Sequence, residues 1–201
     1  QDAVAATQEL LERFPGHPGP YQMLGVLLLR GGRPDQAAEA LRRAAAINDR
    51  LPGVHYNLAL ALAALGQMDE ALAELEKAIG LKPEHADAQA KRAGILAALE
   101  RHDDAETGWQ RVAALRPDDP GPLCGIAKAQ LAAGRAGEAL ETLEAAITSH
   151  PDNSELVILK GRVLESSEGP GAALDWLEEG GPGEPLEAER VRLAALVSRS
   201  H

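Results

Sequence analysis

Six histidines, one cysteine and 31 carboxylates are the side chains best suited to chemistry here, and their spacing decides what is open to them. His17, His55, His85, His102, His150 and His201 are scattered, chiefly in turns. No HExxH or CxxC occurs, nor any close grouping of Cys with His, so the ligand spacing of a zinc site is missing. The histidines therefore read as ordinary surface residues. A P-loop, a G-x-G-x-x-G turn and a G-x-S-x-G elbow are absent too. The glycine-rich stretch GGPGEP (180–185) lacks the lysine and the preceding strand of a phosphate loop, and reads as linker. Cys124 has no histidine near it in sequence and reads as a small apolar packing residue rather than a nucleophile. Clusters such as Glu70, Glu74, Glu76 and Glu138, Glu141, Glu144 read as solvated outer faces. Nothing here assembles a catalytic centre, and no cofactor or metal is expected.

What positions these residues is a repeat. A 34-residue stride through Ala3 meets Ala37, Ala71, Ala105, Ala139 and Ala173; another meets Gly25, Ala59, Ala93, Ala127 and Gly161. A third joins Pro15, Pro83, Pro117 and Pro151, with Asp49 in the one position lacking proline. Strides of this length mean a solenoid. Within 52–85, Leu58, Leu62 and Leu65 keep helical spacing up to Gly66; after GQMD a second set (Ala71, Leu72, Leu75, Ala78, Ile79) keeps it again until Pro83. Each unit is thus a pair of antiparallel helices. Ala59 and Ala71 let the two backbones approach, and the larger leucines fill the space beside them. One pair cannot bury both its sides, so copies stack.

These residues carry a family resemblance. Asn57-Leu58-Ala59, Leu62, Gly66, Ala71, Leu75, Ala78 and Pro83 resemble the tetratricopeptide repeat (TPR) signature of bacterial type, with smaller or aliphatic residues where aromatics are common. The resemblance covers nearly the whole chain and implies an all-α, right-handed superhelical solenoid of antiparallel helix pairs. The expected organisation is a second helix of an incomplete repeat (1–17), repeats at 18–51, 52–85, 86–119 and 120–153, a degenerate repeat at 154–184 and a capping helix at 185–201. Repeat 86–119 departs from pattern: Arg92 takes a leucine position, Glu100 replaces the inter-helix glycine, and Trp109 occupies the slot of Leu41, Leu75, Leu143 and Leu177. Lys160 again stands where leucine is expected, and Gly180-Gly181-Pro182-Gly183 is expected to stop its second helix early. The chain begins at Gln1, and Val4, Leu10 and Leu11 would have an uncovered side. The expectation is native sequence upstream, and an end that frays or self-associates.

The net charge of −11 leaves no basic stripe for phosphates, so nucleic acid is not an expected partner. The longest apolar run, LGVLLL (24–29), stops at Arg30, so no direct membrane insertion is expected. Neither the single cysteine nor any leader decides between cytoplasm and periplasm. In TPR-like stacks the first helices line the concave side. By that resemblance Val26, Leu29, Tyr56, Asn57, Leu60, Lys91, Cys124 and Lys128 are the candidate contact residues, with Tyr56 as an aromatic anchor. The middle of this face is apolar and charges gather toward the C-terminal repeats. Two readings stand: a groove for an apolar or amphipathic protein or peptide segment, or a groove closed on its own side chains. The clamp for acidic chaperone tails is excluded, since only Asn57 and Lys91 match it and Asp87 would repel the carboxylate. The functional expectation is a non-catalytic interaction scaffold. Its alternatives are an appendage recruiting substrate for a larger enzyme (sulfotransferase, glycosyltransferase or hydroxylase type) and a self-assembly module forming a homo-oligomer.

Overall fold

The computed structural model describes residues 2–180 and 187–198, with side chains outside 2–6, 8, 179–180 and 187–189. Twelve helices, and no strand, occur among the described residues: α1 (Asp2–Arg13), α2 (Pro18–Arg30), α3 (Pro34–Ile47), α4 (Pro52–Ala64), α5 (Met68–Leu81), α6 (Ala86–Ala98), α7 (His102–Leu115), α8 (Gly121–Ala132), α9 (Ala136–Ser149), α10 (Ser154–Glu168), α11 (Pro170–Gly180) and α12 (Glu187–Val197). The fold is an all-α helical solenoid, whose chain divides into two units, 1–95 and 96–201. In the first unit α2 packs along α3 and α4 along α5, and α3 packs on α4 to join the pairs. In the second, α8 packs on α9, α9 on α10, α10 on α11 and α11 on α12. Ala37, Ala59, Ala71, Ala105, Ala127, Ala139 and Ala173 have no exposed surface, as residues at close helix contacts must. α11 runs for 11 residues where α9 runs for 14, so the last pair has a short second helix. Of the expected stop, residues 181–183 lie outside the described residues, as do 185, 186 and 199–201 of the expected cap.

The turn between the helices of a pair is one motif repeated. The backbone N–H of Arg33, Gln67, Arg101 and Arg135 each donates to the carbonyl five residues earlier (Leu28, Leu62, Leu96, Gln130) at 2.9 Å. The preceding residue must then be left-handed. Gly32, Gly66 and Gly134 supply φ of 67°, 77° and 77°; Glu100 is forced to 59° in the same place. A Cβ in that region costs on the order of 1 kcal/mol. Glu100→Gly is therefore expected to stabilise the chain by about 0.5–1 kcal/mol, after the glycine's extra unfolded-state entropy. Chemical denaturation checks it; unchanged or lowered stability would mean the turn carries no strain.

Departures from the repeat pattern find local compensation. Trp109 is only half-buried, and its indole lies so close over Gly125 of α8 that a Cβ there would stand 2.4 Å from a ring carbon. A glycine on α8 thus makes room for a tryptophan in a leucine slot. The two cations in leucine positions share one solution. Arg92 Nη2 reaches Glu76 Oε1 at 3.5 Å, and Lys160 Nζ reaches Glu144 Oε1 at 2.8 Å, each to a glutamate 16 residues earlier on the preceding second helix. Lys160 also lies over the Trp176 ring, 4.9 Å from its centroid, so its stem covers apolar surface while its charge stays paired.

Candidate functional site: the first-helix faces

In the first unit α2 and α4, the first helices of successive pairs, touch each other directly. Proline in the first turn starts both. Val26 and Leu29 of α2, and Tyr56, Asn57 and Leu60 of α4, are all half-buried. Gln22 of α2 reaches across to Gly53 of α4. The Tyr56 ring meets His85 with centroids 4.9 Å apart and planes tilted by 40°. Lys91 lies on α6 in the same unit, also half-buried. α2 carries one charged residue, Arg30 at its end, and α4 carries no Asp, Glu, Lys or Arg.

The second unit has a different surface on its first helices. α8 and α10 touch, and Lys128 Nζ is held by Glu155 Oε1 at 3.0 Å. Further along, Arg192 Nη1 donates to Glu165 Oε1 at 3.1 Å, tying α12 to α10. Charge is uneven between the units as well. Of the 20 cations 10 lie in 1–95, against 12 of the 31 acids, so most of the net negative charge belongs to 96–201. Cys124 departs from its place in the candidate contact set. It is 3 % exposed and packs with Ala127, Ala139, Leu143 and Leu156 in a core cluster. Burial pushes its thiol above the ordinary range, and the nearby Glu155 adds to this. A buried protonated thiol is a packing group, not a nucleophile. Among the described residues no group of three His, Cys, Asp or Glu could hold a metal ion.

His55 corrects the reading of the histidines as surface residues. It is 3 % exposed, with Nδ1 2.7 Å from Glu74 Oε2 and Nε2 2.7 Å from the backbone carbonyl of Asp49. Both neighbours are acceptors, so both contacts are hydrogen bonds only when the ring carries two protons. Glu74 also accepts from Lys77 Nζ at 2.7 Å. Burial pushes the Glu74 carboxyl up, but hydrogen bonds from Lys77 and His55, with their charges, outweigh it and hold it below the ordinary value. This network fastens the α3–α4 turn, α4 and α5 together. One signal for it was in the sequence: His55 shares its place in the repeat with Tyr21 and Gln89, one residue before the candidate Tyr56. A second polar network, also unread in sequence, surrounds Arg135, which meets Asp103, Glu106 and Glu138 at 2.8, 2.8 and 2.9 Å. Gln130 donates to Glu106 at 2.9 Å and accepts from Thr142 at 2.9 Å, which joins α7, α8 and α9. The network ties the α8–α9 turn to α7 and α9.

Comparison with known proteins places this geometry among others. The family model described as tetratricopeptide repeat matches residues 56–120 and 124–185, together more than half of the chain. A model described as anaphase-promoting complex, cyclosome, subunit 3 matches residues 1–78. No curated protein matches. Solved structures of similar fold include MamA 41-end from Desulfovibrio magneticus RS-1, at 20 % identity and TM-score 0.72, covering 81 % of this chain and 92 % of that one. YrrB, described as a TPR protein with an unusual peptide-binding site, is 20 % identical with TM-score 0.73, over 88 % of this chain and 91 % of that one. A thermophilic TPR protein of Thermus thermophilus is 25 % identical with TM-score 0.60, over 80 % and 88 %. Among the described residues no helix is long and apolar enough to cross a membrane.

Proposed function

Because the chain belongs to the tetratricopeptide repeat family, we propose that it is a non-catalytic interaction scaffold. Its N-terminal unit holds a protein or peptide segment, apolar or amphipathic, against α2 and α4. The observation that carries the reading is the contrast between α2 and α4 in the first unit and the charge-rich α10, with its neighbour α8, in the second. Arg30 is the one Asp, Glu, Lys or Arg on α2 and α4, and the His55 ring is buried away from their surface. On α8 and α10 the charges are several, and Lys128, Glu155, Lys160 and Glu165 are already paired within the chain. Uncharged surface is cheap to strip of water; an ion pair must be broken or buried. The N-terminal face is therefore where an incoming segment gains most from contact. Val26, Leu29 and Leu60 supply apolar area, and Tyr56 an aromatic anchor with a polar tip. Asn57 offers both a donor and an acceptor to the segment's backbone. Lys91 on α6 adds a cation for the polar side of an amphipathic segment. Cys124, in the core, is left out of the contact set, and Lys128 belongs to the other unit. Delivery of a substrate to a larger enzyme would use the same face, whereas capture of a second copy would use the repeat at 86–119 and the N-terminal end.

Peptides of about 12 residues, selected by display on the immobilised chain, supply the probe. Val26→Glu with Leu60→Glu is expected to weaken a selected peptide at least about 50-fold, with the helical signal and melting temperature nearly unchanged. Glu141→Gln, on the outer face of α9, leaves the affinity alone. Affinity retained by the double variant would sink the proposal.

A further inference from the structure

The first pair of helices has a hole where the second pair has a carboxylate. A cavity of about 380 Å³ opens between α1, α2 and α3. Leu11, Leu24, Leu28 and Ala40 give it an apolar lining, with Tyr21, Arg33, Glu39 and Arg43 among its polar residues. Shifted by one 34-residue stride, Tyr21, Ala40 and Arg43 become His55, Glu74 and Lys77. In that second copy the Glu74 carboxylate accepts from His55 at 2.7 Å and from Lys77 at 2.7 Å. The first copy keeps a cation and a donor, as Arg43 and Tyr21, and replaces the carboxylate by a methyl group.

We propose that this cavity is a binding site for a small aliphatic carboxylate, whose anionic head takes the place that Glu74 fills in the next repeat. The tail would lie on Leu11, Leu24 and Leu28, and the head between Arg43 and the Tyr21 hydroxyl. The site is separate from the peptide face of α2 and α4 and does not depend on it. Charge favours an anion, since Arg33 and Arg43 face the cavity against Glu39 alone. Glu39 is the competitor to be displaced: it meets Arg43 at 3.2 Å, with both side chains well exposed. Exposed pairs of this kind are weak, so a carboxylate approaching from the cavity can take over the guanidinium. The cavity volume falls in the range of small-ligand pockets.

The test uses octanoate, octanol and octylamine with the intact chain, by calorimetric titration. Octanoate is expected to fill one saturable site with a Kd below about 1 mM, reasonable for a ligand of its size. Octanol, more apolar but uncharged, binds at least about fivefold more weakly, and octylamine is rejected. Ala40→Glu puts the missing carboxylate in place. It is expected to abolish octanoate binding and to raise the melting temperature by a few degrees. Arg43→Gln, an exposed change that spares the fold, weakens octanoate about fivefold or more. Octanol binding as tightly as octanoate, unsaturable binding, or full affinity in Arg43→Gln would each overturn the proposal. If Ala40→Glu does not fold, Arg43→Gln and the octanol comparison still decide it.

Discussion

Leu75→Ala is expected to remove about 3–4 kcal/mol of stability, among the largest losses of any single aliphatic truncation in the N-terminal unit. Leu75 has no exposed surface and occupies the slot that Leu41, Leu143 and Leu177 hold in other repeats. Truncation loses the transfer energy of the missing carbons and leaves a cavity behind. The backbones of α4 and α5 are already in close contact through small residues such as Ala59 and Ala71, both without exposed surface. They cannot close further to fill the gap, so the cavity term stays near its upper value. Leu81→Ala, at the 42 % exposed end of α5, is the control and costs under about 1 kcal/mol. Chemical denaturation followed by circular dichroism measures both. A loss below about 1 kcal/mol for Leu75→Ala would mean that the slot is not a packed core position.

Removal of the His55 ring is expected to cost about 2–3 kcal/mol and to change how stability depends on acid. His55→Ala strands the Asp49 carbonyl and leaves Glu74, whose side chain is 15 % exposed, with Lys77 alone. The sign of the acid effect follows from Glu74. Its folded-state pKa lies below the ordinary carboxylate value of 4.5. The stability it contributes is therefore fully present above that value and is lost as pH falls through the lower, folded one. Without His55, one of the two donors that hold Glu74 down is gone, and the drop below pH 4.5 becomes shallower. His55→Gln, which keeps one hydrogen bond, falls between the wild-type chain and His55→Ala. Denaturation midpoints at pH 3.5 and pH 6 test this; parallel acid slopes in the wild-type chain and His55→Ala would count against the network.

The solenoid was legible because its signal is redundant. A small residue at one close contact says little, but the same small residue at every 34th position points to the same contact in repeat after repeat, and Ala37, Ala71, Ala105, Ala139 and Ala173 are all fully buried. The redundancy also outranks local preference. Glu100 adopts the glycine conformation because the bond from Arg101 to Leu96 recurs in every complete turn of this kind. The His55–Glu74 network was not legible from motif spacing. Its partners stand 19 residues apart on two helices, and the third is a backbone oxygen. No short motif marks such a pairing, although a comparison of Tyr21, His55 and Gln89 would have shown an inward position. Arg92 and Lys160 were visible as anomalies, but their shared answer needed the geometry of the preceding second helix. Cys124 fails as a contact residue for a subtler reason. Groove and core positions of one helix differ by a modest rotation about its axis, which a pattern of apolar residues does not resolve.

In the proposed function an uncharged face of α2 and α4 receives a segment from outside. Amide chemical-shift mapping of the chain with a display-selected peptide tests it most directly. The predicted result is a contiguous set of perturbations on α2 and α4, around Val26, Leu29, Tyr56, Asn57 and Leu60, that disappears with Leu60→Glu. Perturbations confined to α3 and α5, or to the charge-paired helices α8 and α10, would contradict it.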